Sequence, residues 1–430
     1  MTPVALSEST WILVFALLLL APLAVFGLAL MNTGLGRSRS AAQSLLGSLL
    51  LVAVAVLAFV AFGASLAGGP GGHISLGGQS WDVIGHGPVF SISYGLNALG
   101  RAPLITLLQL WSVAILALIP WGSGSDRWRT VAAMAATVFG AGLVFPLIAH
   151  WTGSGWLAQL GTNFGLSQGF ADSSNAAATH VLGGVTALVV IWVAGPRKGK
   201  FPKQGVSTAI PGHQSVYVLL GCGLALVGWL GINSAAALLA PGAALPVAVG
   251  AAVNTVLAAS AAVLATFFIT RARFGKPDAS LCANGWIAGL VTSSATAALV
   301  GPGAAIFIGC VAGVITPLLV ELLELGLSID DPSGAIAVHG VAGIWGLLAT
   351  GFFARLAPTA DRGAQILAQL VGVVVLLGLL FPLLYVVFLG LNKVIRFRTD
   401  SEGERMGMDL AELGGSAYPE FVIHRDEFHR

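Results

Sequence analysis

The chain has 430 residues, of which 56% are hydrophobic and 9% charged, with a net charge of +2. Soluble domains carry about 25% charged residues, so the composition excludes a soluble globular protein and places the chain in a lipid bilayer. So small a charge argues against nucleic acid as a partner, and three cysteines (Cys222, Cys282 and Cys310) lying in apolar runs, without CxxC or Cys/His spacing, argue against a disulfide framework or a metal site.

Taken in chain order, apolar runs fall at 9–32, 42–65, 102–121, 130–150, 174–194, 213–234, 246–270, 281–299, 303–323, 335–355 and 364–392. Each is long enough to cross ~30 Å of hydrocarbon as a helix. The runs are continuous, not alternating, so helices are predicted in place of a closed barrel. The fold class expected is an all-α membrane protein with eleven transmembrane helices. The first run follows MTPVALSEST, which has no basic segment, and it outlasts a signal-peptide core, so it is read as a retained span.

Lys and Arg set the predicted orientation. With the N-terminus outside, the connections 33–41, 122–129, 195–212 and 271–280 and the tail after 392 are cytoplasmic; they carry seventeen basic residues, against Arg101, Arg355 and Arg362 outside. An odd number of spans then leaves the C-terminus in the cytoplasm of a multi-pass cell-membrane protein. Two regions are expected: a transmembrane domain over 1–392 and a cytoplasmic tail over 393–430. The Gly-rich connection 66–101 is predicted to cap the outer mouth.

Two stretches repeat one pattern. DSSNAAATHVLGG at 172–184 and DPSGAIAVHGVAG at 331–343 both read D-x-S-x-A-x-A-x-H-x-x-x-G. The copies lie five spans apart, so their helices run antiparallel, which predicts an inverted five-plus-five repeat with a final helix added. Asp172 and Asp331 are placed as helix caps, and Pro332 suits a first turn. Each histidine lies eight residues further on, ~12 Å deeper at the helical rise. His180 and His339 therefore approach the bilayer centre from opposite faces. A single such histidine reads equally well as a buried polar residue bonded to a neighbour; two at matching depth point to a pore. Carrying a bare ammonium-sized ion into low dielectric costs on the order of 20 kcal/mol. A weak acid that leaves its proton behind avoids much of that cost, which suits a substrate like ammonium and an imidazole relay, and disfavours sodium or potassium.

The whole chain resembles the ammonium transporter family (Amt/Mep/Rh). The resemblance rests on GLALMNTGLGRSR, FPLIAHW at 145–151, DSSNAAATH leading to GPRKGKF, GWLGIN at 228–233, DDPSGAIAVHGVAGIWG at 330–346 and GMDLAELGGSAYP at 407–419. It implies transport of ammonium or ammonia, a homotrimer with one narrow pore per subunit, and His180 and His339 as twin pore histidines. It also implies Asp172 as the structural acid near the outer recruitment site, with Trp229, Ile232 and Asn233 in a pore-lining stretch. No cofactor and no enzymatic activity are expected.

Four departures fall at the outer vestibule. With Gln109 in register, Ser112 stands where the family has its first stacked phenylalanine, and Ile232 stands at the second. Ala236 replaces the serine of the outer cation site, and HWTGSGW is one residue short of supplying the usual tryptophan. A vestibule aromatic holds a cation by ~0.5–2 kcal/mol, so weaker recruitment is expected. Trp111 and Trp156 could substitute in part, although interfacial anchoring is the plainer reading of both; for Trp229 it is packing. His73, His86, His150, His213, His424 and His429 are expected at solvated or interfacial places. The tail resembles the family segment that packs under the trimer and can meet a PII-type signalling protein, with Leu413, Gly415 and Ser416 departing. The acidic stretch 321–334 (Glu321, Glu324, Asp330, Asp331) is expected to face the basic loops or solvent. An ammonium sensor read out through the tail, with little flux, is the alternative function; a channel for another small neutral molecule or water is a weaker one.

Overall fold

The structure, a computed structural model, describes residues 6–68, 72–87, 100–203 and 206–419. His424 and His429 and most of the 85–99 part of the outer connection lie outside the described residues. Among the described residues, eleven helices of spanning length follow in chain order: helix 1 (Glu8–Leu35), helix 2 (Ser38–Ala67), helix 3 (Ala102–Gly124), helix 4 (Thr130–Gly153), helix 5 (Ala177–Ala194), helix 6 (Ser215–Leu239), helix 7 (Leu245–Phe274), helix 8 (Ala279–Thr296), helix 9 (Pro302–Gly326), helix 10 (Ile336–Phe353) and helix 11 (Arg362–Val394). Ten of them are apolar enough to cross a membrane by composition. Helix 8 is more polar: Asn284, Thr292, Ser293, Ser294 and Thr296 are all buried in it. It packs against helices 6, 7, 9 and 10, so these groups find partners inside the protein and not in lipid.

Small residues bring the helices together. A Cβ on Gly27 of helix 1 would sit 2.5 Å from the Gly221 carbonyl of helix 6, and one on Gly313 of helix 9 would sit 2.1 Å from that of Ala262 in helix 7. The tightest approach that matters to the centre is between the inverted halves. A Cβ on Gly184 of helix 5 would lie 2.3 Å from Gly340 of helix 10. Helix 1 is interrupted at Leu19–Ala21 and resumes at Pro22, a residue that lacks the N–H a continuing helix would use and suits a fresh first turn.

One end of the bundle carries a hairpin, Gly72–Leu76 with Gln79–Ile84. Its two-residue turn, Gly77–Gly78, has φ of 62° and 78°, as a tight antiparallel turn needs. The hairpin folds onto helix 4. Trp151 donates its indole N–H to the Val83 carbonyl (2.6 Å), and His150 bonds Asp82 through Nε2 at 2.9 Å. His150 is thus buried, not interfacial as expected from its place at a span end, because the hairpin covers that end and supplies a carboxylate. Trp156 is likewise no lipid anchor: it lies in a cluster with Trp81 and Trp151, at ring distances of 5.2 and 5.5 Å. His73 and His86 are exposed, as expected.

The opposite end gathers the basic loops, the acidic stretch and the tail. Asp330 takes a forked pair of bonds from Arg197 and faces Arg127 at 3.6 Å, while Asp126 joins Arg197 (3.1 Å) to Arg37 (3.3 Å). Burial works against the Asp330 charge, but the Arg197 bonds and the Arg127 charge outweigh it and hold its pKa down at about 2. Lys200 pairs with Glu324 and Arg273 with Glu321, both at 2.7 Å. The acidic stretch does face the basic loops. In the tail, the buried Asp409 accepts from the backbone N–H groups of Ala42 and Gln43 at the start of helix 2, and Glu404 accepts from Arg398 and from the Lys198 N–H. His213 is half-buried between the Gly36 carbonyl (3.1 Å) and the Tyr418 hydroxyl (3.3 Å), which is more enclosure than the solvated placement expected.

Candidate functional site

The two copies of the repeated pattern fold alike. Asp172 accepts from the Ala176 and Ala177 N–H groups at 2.9 and 2.8 Å, and Asp331 accepts from the Ile336 N–H at 2.8 Å. Both carboxylates thereby cap the start of a helix. The fourth residue of each copy, Asn175 or Gly334, is left-handed, with φ of 57° and 70°; Asn and Gly are the residues that adopt this conformation readily. Burial raises the pKa of Asp172 to about 6 against the backbone bonds that lower it, and burial raises that of Asp331 against the Ser123 hydroxyl bond. Asp331 also receives that Ser123 hydroxyl at 2.7 Å.

Each cap opens into one wide π-type turn, Ala177–Val181 in helix 5 and Ile336–Val341 in helix 10. Such turns occur often at functional positions, and here each contains its histidine. Because Gly184 and Gly340 let the two backbones touch, the imidazoles meet. The Nδ1 atoms of His180 and His339 are 3.3 Å apart, with ring centroids 5.3 Å apart and planes 26° from parallel. Both side chains are buried, at 2% and 5% exposure.

Trp229 of helix 6 covers His180, stacked at 5.6 Å and 12° from parallel. Its indole N–H donates to Ser294 Oγ at 2.9 Å, and Ser294 Oγ is 3.3 Å from His180 Nε2. His339 borders a cavity of about 20 Å³ also lined by Asn32, Asn284, Ser333 and Val338. A space of that size holds roughly one water-sized molecule.

The other expected residues are dispersed. Asn233 is fully buried, but its amide donates to Thr255 and Ser293, both at 2.9 Å, so its side chain is directed at helices 7 and 8. Ser112 is buried and bonds back to the Leu108 carbonyl at 3.0 Å. Ile232 and Ala236 are buried in the apolar core, and the half-buried Trp111 packs beside that core with its indole nitrogen unbonded. Asp172 caps helix 5 and makes its hydrogen bonds to backbone, not to either imidazole. Sequence reasoning missed Ser294. The polar run TSSAT at 292–296, in an otherwise apolar segment, was the available signal.

A model of the Ammonium Transporter Family matches residues 10–418. The chain belongs to the ammonium transporter family. It is 32% identical over 417 residues to "Ammonium transporter Amt2" of Archaeoglobus fulgidus, covering 93% of this chain and 86% of that protein. It is 29% identical over 411 residues to "Ammonium transporter" of Bacillus subtilis, covering 91% and 94%. Among solved structures, a "Sensor Amt Protein" aligns with a TM-score of 0.83 at 28% identity, over 94% of this chain and 98% of that one. Mep2 of Candida albicans shares the fold, with a TM-score of 0.77 at 24% identity over 97% and 92%. For this family member, the predominantly helical fold with ten candidate membrane spans agrees with the expected class.

Proposed function

We propose that this chain passes ammonium nitrogen across the membrane as ammonia, along a narrow path beside His180 and His339, with the two imidazoles as a proton relay. The observation that carries the reading is the 3.3 Å contact between the two Nδ1 atoms, next to a cavity sized for one small molecule. An intact ammonium ion faces a desolvation cost on the order of 20 kcal/mol in such a setting. Neutral ammonia does not, and two touching imidazoles give the proton somewhere to go.

In this reading Trp229, Ile232 and Ser112 line the path above the histidines, Asn233 holds helices 6, 7 and 8 together around it, and Ala236, Trp111 and Asp172 belong to the outer approach. The hairpin end faces outside and the end that gathers the basic loops faces the cytoplasm of a cell membrane. The tail, 393–430, is a cytoplasmic arm and not a second domain. Assembly is as a homotrimer, the family arrangement, and a PII-type protein is the partner considered for the tail, where Leu413, Gly415 and Ser416 alter the usual surface.

The test is an ammonium pulse onto proteoliposomes on a charged support. Transport gives an ammonium-dependent current or an internal pH change. Ammonium binding with no current and no pH change would replace transport with the sensor reading, which the likeness to a structure titled "Sensor Amt Protein" keeps in view.

A further inference from the structure

We propose that Ser294 sets the direction of the histidine pair: it fixes which ring nitrogens carry protons and is the point where a proton enters the relay. The proposal rests on the transport reading above and assigns a role to a residue outside the repeated pattern.

The argument is one of donors and acceptors. An indole N–H only donates, so in the 2.9 Å bond from Trp229 Nε1 the Ser294 oxygen accepts. The Ser294 hydroxyl proton then has two places to go. One is the Leu290 carbonyl at 3.4 Å; the other is His180 Nε2 at 3.3 Å. Leu290 O already accepts the Ser293 hydroxyl at 2.6 Å, and it takes the Ser294 backbone N–H in the ladder of helix 8. A carbonyl has two lone pairs, and both are in use. His180 Nε2 has no other partner among the described residues. The hydroxyl therefore donates to His180 Nε2.

The rest follows along the chain. With Nε2 accepting, neutral His180 carries its proton on Nδ1 and donates it to His339 Nδ1 across 3.3 Å. His339 then carries its own proton on Nε2, which has no partner among the described residues, and His339 lines the inner cavity. All donors from Trp229 through Ser294 and His180 to His339 point the same way, and bonds aligned in this manner polarise one another.

The alignment defines a balanced relay. An ammonium ion beside Ser294 gives one proton to Ser294 Oγ as the hydroxyl proton passes to His180 Nε2. His180 releases its Nδ1 proton to His339 Nδ1, and His339 releases its Nε2 proton to a water or ammonia in the inner cavity. Each bond broken is matched by one formed, and one proton enters as one leaves. The ammonia left behind crosses separately.

The test is 15N NMR of the full-length protein in lipid, with His180 and His339 assigned by difference against single variants. The expected spectrum has His180 protonated at Nδ1 and bare at Nε2, and His339 protonated at Nε2 and bare at Nδ1. A His180 protonated at Nε2 overturns the proposal, and does so without reference to flux, so the transport reading stands or falls separately. Ser294→Ala is expected to abolish the single tautomer at His180 and to lower the ammonium-dependent current about tenfold, the upper worth of one ordinary hydrogen bond. Ser294→Thr, which restores the hydroxyl, is expected to recover both. Ser294→Ala with unchanged ring protonation and unchanged current also overturns it. If Ser294→Ala does not fold, the wild-type spectrum alone decides.

Discussion

Gly184 and Gly340 touch backbone to backbone where helix 5 crosses helix 10, four residues after one histidine and one residue after the other. That crossing sets the distance between the imidazoles. With a Cβ on Gly184 the helices must separate, since the atoms it would meet are backbone and cannot rotate away. Gly184→Ala is expected to cost about 1–3 kcal/mol, the usual price of overpacking, and to lower ammonium-dependent current more than the loss of folded protein explains. Thermal unfolding in detergent and current per folded protein measure the two effects.

Asp172 gives a pH signature. Its pKa is raised to about 6 in the folded chain, against about 3.9 for a free side chain. The folded state therefore binds the proton more tightly between those values. The contribution is fully present below pH 4 and is lost as pH rises through about 6. Asp172→Asn is expected to flatten that part of the curve of melting temperature against pH, so that the difference between wild type and variant changes between about pH 4 and 6 and is constant above it.

Asp330 works in the other direction. Its depressed pKa of about 2 means that its ion pairs stabilise above about pH 4 and fail as pH falls toward 2. At neutral pH, Asp330→Asn leaves Arg127 and Arg197 short of a buried partner and is expected to destabilise by about 3–5 kcal/mol. Glu321→Gln, which breaks the exposed pair with Arg273, is expected to cost under about 1 kcal/mol. Chemical unfolding of both variants against wild type checks the contrast.

Asp82→Ala removes the carboxylate that His150 holds beneath the hairpin. A buried polar group left unpaired costs about 1–3 kcal/mol, so the hairpin is expected to detach more often. Limited proteolysis from the hairpin's side of the membrane should cut at the Gly77–Gly78 turn faster in the variant than in wild type.

Much of the centre was legible because it depends on local geometry alone. A rise of ~1.5 Å per residue places each histidine ~12 Å beyond its capping acid, and the pattern is written twice. The charge bias gathered loops that do lie at one end. What the sequence hid depends on distant partners. His150 is buried because of Asp82, 68 residues earlier on a hairpin. Ser294 touches His180 across 114 residues, only once helices 5, 6 and 8 have packed. Asn233, in a recognisable motif, points its amide at helices 7 and 8, a direction that no spacing encodes.

The central claim is that the touching imidazoles of His180 and His339 carry the proton. It is tested most directly by ammonium-dependent current in proteoliposomes for His180→Ala, His339→Ala and the double variant, with folded protein content measured in each. The account predicts that each single variant loses the charge movement and that the double variant is no worse than either, since the two act as one unit. Wild-type current persisting in the double variant would contradict it.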